Sequence, residues 1–149
     1  MKASKRGLDL IKRFEGLKLK PYLCSAQVPT IGFGSTFYPN GQKVKLTDPI
    51  ITESYAESLL ISTVKSFETK LNPLLVGVKP TQNQYDALMS FVFNLGVGAL
   101  AKSTLLKKIK INPNDPSIKV EFMKWVNSNG KQLQGLVNRR KAESDLYFM

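Results

Sequence analysis

The chain has 149 residues, 42% of them hydrophobic, with 8 Phe, 5 Tyr and 1 Trp, enough for a core and against disorder. It holds no histidine and one cysteine, Cys24, which excludes an intramolecular disulfide, a His-based triad and a His-ligated zinc site; no cofactor or metal is expected. The net charge of +11 points to an anionic partner (nucleic acid, an acidic membrane face or a cell-wall polymer), unless it is only a solubilising surface.

Residues 5–15 carry Leu8, Ile11 and Phe14 on one side with Lys12 and Arg13 outside, the period of an amphipathic helix, and Gly16 stops it. Residues 17–47 change character. Leu17, Leu19, Tyr22 and Leu23 lead through Cys24 to the run Val28 to Gly34, Pro39-Asn40-Gly41 marks a turn, and the alternation from Lys43 to Leu46 predicts a strand. Together they predict an antiparallel sheet of two or three strands, too small to stand without helices. Thr52 is placed to cap a helix running to about Leu71, which Asn72-Pro73 ends. Thr81 and Gln84 form a capping-box pattern before Tyr85, Leu88, Met89, Val92 and Phe93, which predicts a central buried helix closed by Gly96 and Gly98. Ser103 caps a predicted helix over 104–110. Asp115-Pro116 opens another, carrying Val120, Phe122, Met123 and Trp125 as far as Gly130, and 134–147 is the last.

The class is therefore α+β, mainly helical, with a small sheet inserted after the first helix. One domain is expected over 1–149. Within it, about 16–50 form a β lobe, and about 52–149 with helix 5–15 form a helical lobe. The first residues lack the apolar stretch of a signal peptide, and no run of about 18 apolar residues exists, so stable membrane insertion is not expected.

Glu15 ends the first helix between Phe14 and Gly16-Leu17. A carboxyl group against apolar neighbours is pushed up by desolvation and can serve as a general acid, whereas an ordinary helix-end Glu is simply solvated. An acid at a helix C-terminus opposes the macrodipole, which argues for a reason other than stability. Thr30 alone reads as a β-branched strand residue. The glycines of Gly32-Phe33-Gly34 permit close approach by a sugar, and without a third glycine and a following helix they are not a dinucleotide fingerprint.

The stretch Phe14-Glu15-Gly16, Leu17, Leu19, Tyr22, Cys24 and Thr30-Ile31-Gly32-Phe33-Gly34 resembles the phage T4-type lysozyme family of glycoside hydrolases. Nine residues separate Glu15 from Cys24 and six more reach Thr30, the spacing at which that family has Glu, Asp or Cys, and Thr. Gln84, Ala87, Phe91, Asn94, Gly96, Ser103 to Leu106, Phe122, Trp125, Gly135-Leu136, Arg139-Arg140 and Glu143 extend the resemblance to the C-terminus. It implies a two-lobed fold around a glycan cleft and cleavage of the β-1,4 bond between N-acetylmuramic acid and N-acetylglucosamine. Glu15 would be the acid, with Cys24 and Thr30 holding the attacking water. Gly32, Phe33, Thr36, Phe93, Asn94, Thr104 and Arg139 are the candidate substrate contacts.

An inverting glycosidase places a second carboxylate about 6.5–9.5 Å from its acid. No Asp or Glu lies between Gly16 and Thr47, and Cys24 stands where that carboxylate would be. Cys24 has three readings: a water-orienting group or thiolate base, a covalent nucleophile, or an inert packed thiol. The resemblance favours the first.

Basic residues cluster at Lys2, Lys5, Arg6, Lys12, Arg13, Lys18 and Lys20, and at Lys107, Lys108, Lys110, Arg139, Arg140 and Lys141. They read as solvated helix faces or as attraction to anionic envelope polymers, and Arg139 or Arg140 is placed either to pair with Glu143 or to reach the cleft. The resemblance makes peptidoglycan strands the expected partner of a monomer that waits in the host cytoplasm until a separate holin releases it. Two rivals stand beside hydrolysis. A lytic transglycosylase also needs one Glu but uses the sugar's own 6-hydroxyl, and a non-catalytic glycan- or nucleic-acid-binding protein needs none. No nucleic-acid-binding motif is present.

Overall fold

The computed structural model describes all residues, Met1–Met149. A helix, a small antiparallel sheet and a helical array follow one another in chain order, a mainly helical α+β arrangement. The backbone groups into two compact units, Leu8–Ser66, and Met1–Gly7 with Phe67–Met149. The boundary therefore falls inside two helices. Residues 8–15 and 53–66 group with the sheet.

In the unit Leu8–Ser66, helix α1 (Lys5–Glu15) buries Ile11 and carries Lys12 and Arg13 in its last turn, where cations offset the carbonyl end of the helix. Strands β1 (Lys18–Leu23) and β2 (Pro29–Gly32) pair antiparallel, with Tyr22 opposite Thr30 and a bulge between Lys18 and Tyr22. The predicted strand from Lys43 does not form; one bridge joins Phe37 to Lys43. Its backbone is diverted, because Asp48 accepts the Lys45 amide at 2.8 Å and Val44 turns into the core. Ile31, Val44 and Leu59 make that core, with Tyr38 and Ile51 packed against it. Leu59 comes from α2 (Glu53–Leu71), whose first turn is capped by Thr52 Oγ1 receiving the Tyr55 amide at 3.1 Å.

In the other unit, a 3-10 turn at Asn72–Leu75 follows α2. Helix α3 (Gln82–Leu95) starts on the expected capping box: Thr81 Oγ1 accepts the Gln84 amide, and the Gln84 side chain accepts the Thr81 amide. Every residue of α3 from Gln84 to Val92 is buried, the polar Gln84, Asp86 and Ser90 along with the apolar ones that fill much of its circumference. Its buried Asp86 holds the start of the chain, accepting the Ser4 amide at 2.9 Å and the Ser4 hydroxyl. Gly96 closes α3, but Gly98 lies inside a further short helix, α4 (Val97–Ala101). Helix α5 (Thr104–Ile111) is capped by Ser103 as expected.

Helix α6 (Ile118–Phe122) is shorter than the sequence suggested at both ends. Asp115 turns the chain before it by accepting the Ser117 amide at 2.9 Å, and a hairpin takes over after it. That hairpin, β3 (Asn127–Ser128) and β4 (Lys131–Gln132), turns on Asn129 and Gly130, both at positive φ. The last helix, α7 (Gln134–Tyr147), lies along α3. Phe91, Phe122, Trp125 and Tyr147 meet edge to face between these elements, at centroid distances of 5.5 to 5.9 Å. No helix is long and apolar enough to cross a membrane.

Candidate active site

Helix α1 ends on a charged side chain, Glu15. The Gly16 amide closes the final turn on Lys12 O at 2.9 Å, and Gly16 takes a positive φ of 69° that turns the chain into β1. Glu15 is left half-buried at that end. Its carboxyl group lies against the backbone of Gly34: a Cβ on Gly34 would stand 2.6 Å from Oε2 and 2.9 Å from Cδ. Gly34 also has φ +80°, a backbone conformation that favours glycine, and a side chain there would displace the Glu15 carboxyl.

Cys24 sits at the end of a tight turn. Its amide donates to Val28 O at 3.1 Å, and the Gln27 amide donates to Cys24 O at 2.9 Å. Pairing of Tyr22 with Thr30 brings the next strand beside it. Thr30 is buried and donates its hydroxyl to Val28 O at 2.8 Å. Burial acts to raise the Cys24 thiol, but hydrogen bonds with the Val28 and Ala26 backbone and the Thr30 side chain outweigh it and hold the thiol below its ordinary value. Tyr22 feels both Glu15 and Cys24: burial first, then the charges of these two, push its hydroxyl up. Its ring also receives Lys18 Nζ at 5.3 Å.

The other predicted residues fall into two sets. Gly32 is buried, and a Cβ on it would meet the Ala56 Cβ at 3.2 Å, so the glycine lets β2 pack closely on α2. Phe33 is also buried, with Lys12 Nζ 5.4 Å from its ring. Thr36 is half-buried and accepts the Val44 amide at 2.9 Å through its carbonyl. These three share the unit Leu8–Ser66 with Glu15, Cys24 and Thr30.

Phe93, Asn94, Thr104 and Arg139 belong to the other unit. Phe93 packs on Phe67 at 5.7 Å, and Thr104 is exposed at the first position of α5. Asn94 Oδ1 accepts from Arg140 Nη2 at 2.7 Å. Of the two placements foreseen for the arginines, the structure has the pairing with Glu143. Arg139 is only 4% exposed, and its Nε lies 3.5 Å from Glu143 Oε2. Arg140 Nε lies 2.7 Å from Oε1, off hydrogen-bond angle, while its Nη2 bonds Oε2 at 3.2 Å. Ser90 Oγ completes the group by donating to Oε2 at 2.6 Å. The site residues missed from sequence are Gly34, as the neighbour of Glu15, and Tyr22. For Gly34 the signal was the second glycine of the Gly32-Phe33-Gly34 run.

A first helix that ends on a carboxylate, a small antiparallel sheet next in the chain and a helical array after it make up the lysozyme-like fold. The solved structure of a mutant of P22 lysozyme matches at a TM-score of 0.84 and 32% identity, covering 100% of this chain and 99% of that one. The endolysin of Escherichia coli O157:H7 phage FAHEc1 matches at 0.87 and 38% identity, covering 99% and 93%. The phage lysozyme family model covers residues 12–143. Among curated sequences, the endolysin of Acyrthosiphon pisum secondary endosymbiont phage 1 is 42% identical over 99% of this chain and 98% of its own length. That of Salmonella phage P22 is 37% identical over 99% of both. The chain spans about half the length of the Bacillus phage B103 and PZA endolysins that it also matches, 54% and 55%. The chain belongs to the phage lysozyme family, and is an endolysin of the muramidase type that hydrolyses peptidoglycan for host lysis.

Proposed function

We propose that Glu15 is the proton donor for cleavage of the β-1,4 bond between N-acetylmuramic acid and N-acetylglucosamine, with Cys24 and Thr30 positioning the water. Glu15 protonates the glycosidic oxygen as the C1–O bond breaks. A water oxygen bonds to C1 and gives its proton to the Cys24 thiolate or to solvent, so the sugar leaves with a free reducing end. The observation that carries this reading is the seat of the Glu15 carboxyl against Gly34, supported by the depressed Cys24 thiol hydrogen bonded to Thr30.

Glu15→Gln keeps the shape and removes the proton. It is expected to abolish clearing of permeabilised Gram-negative cells, and retained clearing would refute the acid role. Cys24→Ser is expected to weaken clearing without erasing it, while wild-type rates would remove the thiol from the chemistry. Mass spectrometry of the digest is expected to give reducing muramic ends. Finding 1,6-anhydro ends instead would establish the transglycosylase reading, which the lack of a second acid between Gly16 and Thr47 keeps in view.

The same proposal gives the enzyme anionic envelope polymers as a secondary attraction and the monomer as its working form. It also leaves the enzyme in the host cytoplasm until a holin opens the membrane. Some relatives differ in name on this point: those of phages PS119 and PS34 are SAR-endolysins. Expression without a holin is expected to leave active enzyme in the cytoplasmic fraction.

A further inference from the structure

One cavity of the unit Leu8–Ser66 shares no residue with the Glu15 site. It holds about 580 Å³ and is lined by Tyr38, Pro39, Asn40, Asp48, Pro49, Ile51 and Tyr55. Its construction is specific. Tyr38 packs on the core formed by Ile31, Val44 and Leu59, which fixes its ring, and its hydroxyl donates to Asp48 Oδ2 at 2.6 Å. The Lys45 amide donates to the same oxygen at 2.8 Å. Both bonds fall on Oδ2, so the carboxylate is held in place with Oδ1 available. These bonds, the one from Tyr38 first, hold Asp48 below the ordinary carboxylate range, and it stays ionised at neutral pH. The Tyr38 hydroxyl, pushed up to about 12 by burial and then by Asp48, remains a neutral donor. Tyr55, 42% exposed, forms the rim.

Asp48 is the only charged residue lining the cavity, in a chain whose net charge is +11. A fixed carboxylate beside two tyrosine rings and two prolines selects a cation with an apolar stem. The rings attract a cation through their faces, and the carboxylate takes its N–H donors. A neutral sugar would leave the charge unmatched, and an anionic polymer would be repelled. Lys45, the neighbouring cation, gives Asp48 its backbone amide and also acts on it through its charge, but it does not line the cavity.

We propose that this cavity binds a primary ammonium on an aliphatic side chain, of the kind carried by the diamino acid of a peptidoglycan stem peptide. The inference rests on the peptidoglycan reading for its natural ligand but not on the chemistry at Glu15. It makes the small-sheet unit a reader of the peptide as well as of the glycan, and it favours wall whose stem amines are free over wall in which they are cross-linked.

The test uses a synthetic Ala–γ-Glu–Lys tripeptide and the same peptide acetylated on its ε-amine, each titrated into the ¹⁵N-labelled full chain. The free amine is expected to shift amides between Tyr38 and Tyr55, and the acetylated peptide is not. Asp48→Asn is expected to weaken binding about tenfold. Tyr55→Ala, at the exposed rim, is expected to weaken it several-fold and serves if Asp48→Asn misfolds. Equal binding of both peptides, or no shift of these amides by either, overturns the proposal. Because binding is read without hydrolysis, failure here leaves the Glu15 result untouched, and an inactive Glu15→Gln protein should still bind the free amine.

Discussion

Gly34 has no side chain because Glu15 occupies the volume that one would fill. A methyl group there must either push the carboxyl aside or move the backbone, and its φ of +80° adds strain of about 1 kcal/mol or more. The two effects separate in measurement. Gly34→Ala is expected to lower the thermal midpoint modestly but to cut kcat about a hundredfold, since a misplacement of about 1 Å at a catalytic group costs that much. Clearing kinetics beside a calorimetric melt check this, and a variant with unchanged kcat would mean that Gly34 does not position Glu15. Cys24 obeys the same local logic. Its thiol is tuned by the 24–28 turn and by Thr30, groups that only strand pairing brings together.

Among the elements, α6 shows how polar contacts replace length. Five residues cannot hold a helix by themselves. Glu121, buried on it, accepts Lys124 Nζ at 3.1 and 2.9 Å and faces Lys108 at 3.6 Å. The hydrogen bond from Lys124, then the charges of Lys124 and Lys108, hold its carboxyl below the usual range against the opposing effect of burial. Its folded pKa thus lies below its unfolded value of about 4.3, so this stabilisation is complete above that pH and lost as pH falls through the folded pKa. The Lys124 side chain is 61% exposed, which limits the pair to about 1 kcal/mol. Glu121→Gln is expected to melt earlier than wild type at pH 7 and together with it near pH 2. A constant gap across the series would show that the pair does not act through its charge. The sequence placed this helix but overran it. Asp115-Pro116 read as the helix start and Gly130 as its end, whereas Asp115 closes a turn before the helix and the hairpin around Asn129-Gly130 claims the residues after it.

For the molecule as a whole, the surplus of 11 positive charges carries the proposed long-range attraction to an anionic envelope. Such attraction is screened within about 8 Å at physiological salt and about 3 Å at 1 M. Raising salt from 50 mM to 1 M is therefore expected to slow the initial clearing of walls about threefold or more, mainly through KM. The same series on a short neutral glycan should be flat. Equal salt dependence on both substrates would place the effect at the site instead of in the surface field.

What the sequence alone determined was what neighbours within a few residues control. The capping box at Thr81, the Ser103 cap, the extents of α1 and α7, and the order Glu15, Cys24, Thr30 are all local in this sense, because helix periodicity and caps are settled within a turn. Tertiary structure decided the contacts between residues distant along the chain. It set Gly34 against Glu15, and Gly32 against Ala56. It set Arg139, Arg140 and Glu143, themselves within one turn of α7, against Ser90 and Asn94 of α3, and it assembled Tyr38, Asp48 and Tyr55 around one cavity. Those outcomes depend on which faces meet when apolar surface leaves water, and no short stretch of this sequence contains both partners.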